Sequence, residues 1–97
     1  DLIRQMSMLA PFGSENPEPV LCSRNIRASS PVIVGNNHLK MRLVDDSASL
    51  NAIWFGMGKH LGAINSANLD VVFSPQINYW NGSFDVQLKI RDAAIVA

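Results

Sequence analysis

The sequence has one cysteine, Cys22, in 97 residues. A single thiol closes no internal disulfide and builds no cysteine-based zinc site. It suits a reducing, intracellular setting. Net charge is also missing, because eight Lys and Arg balance eight Asp and Glu. A chain that held duplex nucleic acid by bulk charge would be strongly basic, so any polyanion site here must come from local placement. No apolar run approaches the roughly 18–20 residues that a bilayer-spanning helix needs. His38 and His60 are isolated, whereas zinc takes three or four converging ligands. There is no Gly-rich phosphate loop and no recognisable Ser-His-Asp set. Asp45-Asp46 is the only adjacent carboxylate pair. In a turn such a pair reads as a solvated cap, with ion binding as the alternative. Asp1-Leu2-Ile3-Arg4 offers neither a start Met nor a signal-peptide pattern, so a piece of a longer protein is expected.

What is present fits one small globular domain. Hydrophobic residues make up 47% of the chain and charged residues 16%, which argues against disorder. Leu2, Ile3, Met6 and Leu9 fall on one stripe, predicting a short N-terminal helix over residues 1–10 that Pro11 ends. Residues 11–19 carry Pro11, Pro17 and Pro19, and prolines lack backbone donors and bias their predecessors away from helix. This is a stiff connector.

Strand patterning follows. Val20 to Ala28 reads as a first strand that Ser29-Ser30-Pro31 interrupts and Val32-Ile33-Val34 continues; proline there suggests a bulge or an edge. His38 to Val44 alternates, with Leu39, Met41 and Leu43 opposite His38, Lys40 and Arg42. Leu50 to Phe55 is a third strand. Met57, Leu61 and Ile64 recur at helical spacing, in a segment that Gly56, Gly58 and Gly62 keep short. Leu69 to Tyr79 is a fourth strand, with Pro75 again hinting at an edge or bulge. Asn81-Gly82 signals a hairpin turn. Phe84 to Arg91 is a fifth, with Phe84, Val86, Leu88 and Ile90 opposite Asp85, Gln87, Lys89 and Arg91. Residues 93–97 read as a tail. The expected fold is therefore mainly β, an OB-fold barrel over residues 20–92. Its short helix lies between strands 3 and 4, and the N-terminal helix precedes it. OB-folds bind oligonucleotides or oligosaccharides across one face, between the loops after strands 1 and 4. Here these are Gly35-Asn36-Asn37 and Trp80-Asn81-Gly82-Ser83. A small sandwich would give a similar strand pattern.

Several motifs, in order and at matching spacing over about residues 9–92, resemble the C-terminal OB domain of RecJ-family exonucleases. They are Pro11-Phe12-Gly13 with Asn16-Pro17-Glu18-Pro19; Gly35 with His38-Leu39-Lys40; Ala52-Ile53 with Phe55; Asn78 with Asn81-Gly82; and Gln87-Leu88-Lys89-Ile90 with Asp92. Leu21, Glu15 and Ala93 depart mildly from the family's usual residues. The resemblance implies a bacterial, cytoplasmic DNA-repair and recombination protein of the DHH phosphoesterase superfamily. The barrel would help grip single-stranded DNA while the catalytic DHH and DHHA1 domains of the same chain cleave from the 5′ end. Those domains would use Mn or Mg. A single-strand-binding protein is a candidate partner. The family's Asp-His-His motif is absent from this sequence, so this fragment is expected to be non-catalytic and to hold no cofactor.

The candidate DNA contacts are the two cationic strand faces, His38, Lys40 and Arg42 on one and Gln87, Lys89 and Arg91 on the other. Lys and Arg supply charge-assisted hydrogen bonds to phosphates. The same trios would also suit plain solvent faces, and period two alone leaves open whether they share a side. Arg24 and Arg27, three apart, face opposite ways unless a bulge intervenes. Trp80, beside Asn81 in the strand 4–5 loop, would either stack a base or cover the barrel mouth, and Tyr79 reads the same way. Trp54, Phe55, Phe73 and Phe84 are expected in the core. The methionines are expected as gap-fillers, and Cys22 as an inert small hydrophobe. Phe12 and Asn16 are candidate interdomain contacts in a brace formed by the connector. Against the DNA-holding role stands a structural or protein-docking module, and more remotely an oligosaccharide binder by fold analogy alone.

Overall fold

The alternation of His38–Val44 sets the geometry of the molecule. Leu39, Met41 and Leu43 are buried while Lys40 and Arg42 are exposed, as the two-residue period of a strand dictates. The computed structural model describes residues 1, 2, 4 and 18–96, without the side chains of Tyr79 and Trp80. Five strands built on this alternation close into a barrel: β1 (Leu21–Val34), β2 (His38–Val44), β3 (Ser49–Trp54), β4 (Asn68–Trp80) and β5 (Ser83–Ile95). Their spatial order is β1-β2-β3-β5-β4, returning to β1. A 3-10 turn (Gly58–His60) and a one-turn helix, α1 (Leu61–Ile64), lie between β3 and β4. This is the expected OB-type barrel. The predicted helix over residues 1–10 falls almost wholly outside the described residues.

β1 serves two neighbours because it bends twice. Against β4 its register shifts between Ser23 and Ile26, and against β2 between Ser29 and Val32. Asn25 and Ser30 sit in these shifts with φ of 57° and 53°. A left-handed residue that bulges a strand sharpens its twist, which is how a sheet curls into a barrel. The Asn25 N–H is not lost to the bulge, since it donates to Asp70 Oδ1 at 2.9 Å. Pro31 falls inside the second shift, where no ladder donor is required. Pro75 lies beyond the last β1–β4 pair, Leu21↔Phe73. There β4 has a ladder on the β5 side only.

Closure depends on a parallel pairing of β3 with β5: Asn51↔Gln87, Ala52↔Leu88 and Ile53↔Lys89. β4 and β5 pair for much longer, from Leu69↔Ile95 to Trp80↔Ser83. Their far end therefore runs past the barrel wall as a two-stranded arm. Asn81 and Gly82, with φ of 46° and 75°, turn the arm in the two-residue geometry that Asn-Gly favours. β5 continues beyond the expected end at Arg91, and Ala93–Ile95 pair with Val71–Leu69. The residues read as the start of a tail belong to the barrel. Small Ala93 and Ala94 erase the alternation that marks the rest of the strand.

Inward residues from all five strands form the core, with Phe73, Leu39, Leu43, Leu69 and Leu88 fully buried. Burying each such side chain contributes about 1.5–3 kcal/mol. Ile64 of α1 and Leu2 are buried in the same cluster. Trp54 and Phe73 are core residues as expected, but Phe55 and Phe84 are not, at 51% and 65% exposed. Phe55 follows inward Trp54, so the pleat sends it out. Phe84 lies in the arm, beyond the β3–β5 pairing. Cys22 is exposed rather than packed away, between half-buried Leu21 and inward Ser23.

Candidate nucleic-acid interface

Strand register decides what shares a face. On the outside of the barrel, Arg42, Asn51 and Gln87 form one row across β2, β3 and β5, and Lys40, Ile53 and Lys89 form the next. His38 and Phe55 lie one step further on β2 and after β3, with ring centroids 5.2 Å apart and planes at 74°. The two cationic trios thus occupy adjacent parts of one curved surface, centred on β2 and β3. Adjacent strands lie about 4.8 Å apart, which puts the β2 and β5 cations about 10 Å apart.

Arg42 is held in a fixed pose. Its Nε donates to Ser49 Oγ (2.7 Å), Nη1 to Asn51 Oδ1 (2.8 Å) and Nη2 to the Ser49 carbonyl (2.7 Å). All three acceptors are neutral, so the guanidinium is oriented with no carboxylate offsetting its charge. Three of its five N–H donors are used in these bonds and two remain. Lys40 is exposed between Val32 of β1 and Ile53 of β3. Among the described residues it has no ion-pair partner.

The β5 trio stands differently. Glu18, at the end of the connector, lies 3.3 Å from Lys89 Nζ and 3.9 Å from Arg91 Nη1. Gln76 Nε2 also donates to Glu18 at 3.4 Å. Ser74, on the row of Lys89, is fully buried with its hydroxyl unpartnered. Glu18 therefore sits against β4 and β5 and offsets the charge there. Gln87 is half-buried beside Asn51 and Gln76.

Arg27 and Arg24 are both exposed, and the bulge between Ser23 and Ile26 separates them. Arg27 pairs with Val44 and borders the β2 face. Arg24 lines a different hollow with Asp70 and Asp92. Asn81 is exposed at the tip of the arm. The side chains of Trp80 and Tyr79, and residues Phe12 and Asn16, lie outside the described structure. Asp45 is a turn cap: its Oδ1 accepts from the Ser47 N–H, the Ser47 hydroxyl and the Ala48 N–H, and its Oδ2 from the Leu2 N–H. Burial pushes its pKa up, but the Ser47 hydroxyl and the three backbone donors outweigh that and hold it below the usual carboxylate value. Among the described residues no His, Cys, Asp and Glu gather as a metal site, and no helix is long and apolar enough to cross a membrane.

Sequence reasoning missed Ser49 and Asn51, which orient Arg42, and it misplaced Phe55. Strand period held the signal for all three. With Ala52 and Trp54 inward, Asn51 and Phe55 must face out beside the β2 cations.

The chain matches the RecJ OB domain family over residues 1–92. It is 33% identical over 96 residues to the single-stranded-DNA-specific exonuclease RecJ of Bacillus subtilis (strain 168). That match covers 96% of this chain and 12% of the relative. In fold it is similar to a solved structure described as an aspartyl-tRNA synthetase from Leishmania major Friedlin, with a TM-score of 0.53 at 15% identity. That similarity spans 92% of this chain and 19% of the other, and it concerns the fold alone. Barrel, register and sequence agree, and the chain belongs to the RecJ OB domain family.

Proposed function

We propose that this barrel holds single-stranded DNA on the outer face of β2 and β3, within a RecJ-like exonuclease that degrades DNA from the 5′ end. The observation that carries this reading is Arg42, oriented by neutral partners and left charged beside exposed Lys40. Phosphate contacts position a strand without reading its sequence, so affinity should be weak and sequence-independent. Tethering to catalytic domains raises the effective concentration enough for a weak grip to matter. Those domains, their Mn or Mg, a cytoplasmic setting and a single-strand-binding protein as partner are parts of the same proposal.

Anisotropy titration of a labelled single strand of about 12 nucleotides, at low and moderate salt, tests it. Salt-sensitive binding that Lys40→Ala weakens supports the reading. Absence of binding at high micromolar protein and low salt sinks it.

The contacts of Glu18 with Lys89, Arg91 and Gln76 favour a second role, in which the connector fixes how the barrel sits on its neighbours. In the full exonuclease, Glu18→Gln would then lower activity while leaving single-strand affinity of this chain undiminished. Unchanged activity would remove the brace.

A further inference from the structure

We infer that Phe55 is a stacking platform for an unpaired nucleobase, placed so that Lys40 and Arg42 hold the phosphates of the same strand. This rests on the single-strand reading above and adds to it the residue that takes a base. Phe55 leaves the β3 pleat on the outside of the barrel and keeps 51% of its surface open, although it is a large apolar ring. It does not hang loose. His38 packs against it in a perpendicular ring contact, and the Gly56 N–H donates to His38 Nδ1 at 3.0 Å. Gly35, at φ 61°, lies so close that a Cβ there would meet His38 Cδ2 at 3.1 Å. The Asn37 side-chain amide donates to the Gly56 carbonyl at 3.1 Å, and the Gly58 N–H donates to the Asn37 carbonyl at 3.0 Å. The β1–β2 loop and the turn after β3 are thus tied together around one exposed ring.

Its neighbours select the occupant. Lys40 lies one row away on β2 and Arg42 two rows away, and each row is two residues, about 6.7 Å along the strand. That step suits one stretched nucleotide. Exposed Val32 and half-buried Ile53 flank Lys40 and offer an apolar floor for sugars. An aromatic ring in line with two cations on a neutral protein matches a chain that alternates flat bases with anions. A plain apolar protein surface would leave both cations unmatched.

The test compares the 97-residue chain with Phe55→Leu and Phe55→Tyr on two labelled strands, twelve thymidines and the same sugar-phosphate length without bases. Loss of one stacked base corresponds to about 5- to 150-fold in affinity. The expected result is that Phe55→Leu weakens thymidine binding by that factor and Phe55→Tyr restores most of it. Both variants should bind the abasic strand as the unchanged chain does. Thymidine binding unaltered in Phe55→Leu overturns the platform and leaves the single-strand reading standing. Equal losses on both strands also overturn it, because the ring would then serve the fold. If the unchanged chain binds neither strand, the single-strand reading fails and the platform with it.

Discussion

Replacing Arg42 separates charge from orientation, because its pose is fixed by three bonds to neutral acceptors on Ser49 and Asn51. A hydrogen bond to a charged group contributes about 1.5–3 kcal/mol. Arg42 is exposed, so the lower value applies, and about 1.4 kcal/mol is tenfold in affinity. Arg42→Ala should therefore weaken single-strand binding about tenfold. It should also make the log-log salt slope about 0.7 shallower, the share of one phosphate contact on a single strand. Arg42→Lys keeps the charge but loses the planar fork. Its salt slope should stay near that of the unchanged chain while affinity drops a few-fold. Asn51→Ala, which frees Nη1, should behave like Arg42→Lys. Anisotropy titrations across about 20–200 mM salt give both quantities. An unchanged slope in Arg42→Ala would refute a phosphate contact at this position, whatever happened to the affinity.

Three further outcomes concern the fold that presents this face. Leu43→Ala, at a fully buried position, should cost about 2–5 kcal/mol in urea unfolding; a loss under 1 kcal/mol would mean that the core closes over the gap. Gly58→Ala would place a Cβ 2.7 Å from Asn37 Oδ1 and 3.3 Å from its backbone. It should lower the melting temperature and loosen His38 and Phe55, seen as shifted ring resonances. Asp45 has a lowered folded pKa, so its contribution is complete above the unfolded value of 3.8. It is lost as pH falls through the folded value. Unfolding free energy should drop more steeply below about pH 4 in the unchanged chain than in Asp45→Asn, and parallel curves would rule out this cap as an acid-sensitive element.

Much of this architecture was legible because alternation and turn chemistry are local. His38–Val44 declares its two faces residue by residue, and Asn81-Gly82 names its turn. Pro31 marked a bulge for a physical reason, since a residue without an N–H must sit where the ladder is interrupted. What stayed hidden depends on partners distant in sequence. No local pattern tells that β3 runs parallel to β5, yet that pairing puts Lys40 and Lys89 in one row on one surface. Glu18 lies in a connector that reads as a spacer, and only the folded barrel brings it to Lys89 and Arg91. Phe55 was misread by a different route. Aromatic residues are usually buried, but two consecutive ones in a strand cannot both face inward, and with Trp54 inside the period sends Phe55 out.

The parallel pairing of β3 with β5 covers three residue pairs, where β4 and β5 share a ladder several times longer. The barrel therefore has a seam. A three-stranded meander forms one side of it and a long hairpin the other, and each is held mainly by contacts close in sequence. Local opening should start at this seam, with amide hydrogens of residues 51–53 and 87–89 exchanging sooner than those in the middle of β2. The seam also runs through the surface that carries Lys40, Ile53 and Lys89. A polymer lying across it would stitch the two halves together, so ligand would slow exchange along a line within its own footprint.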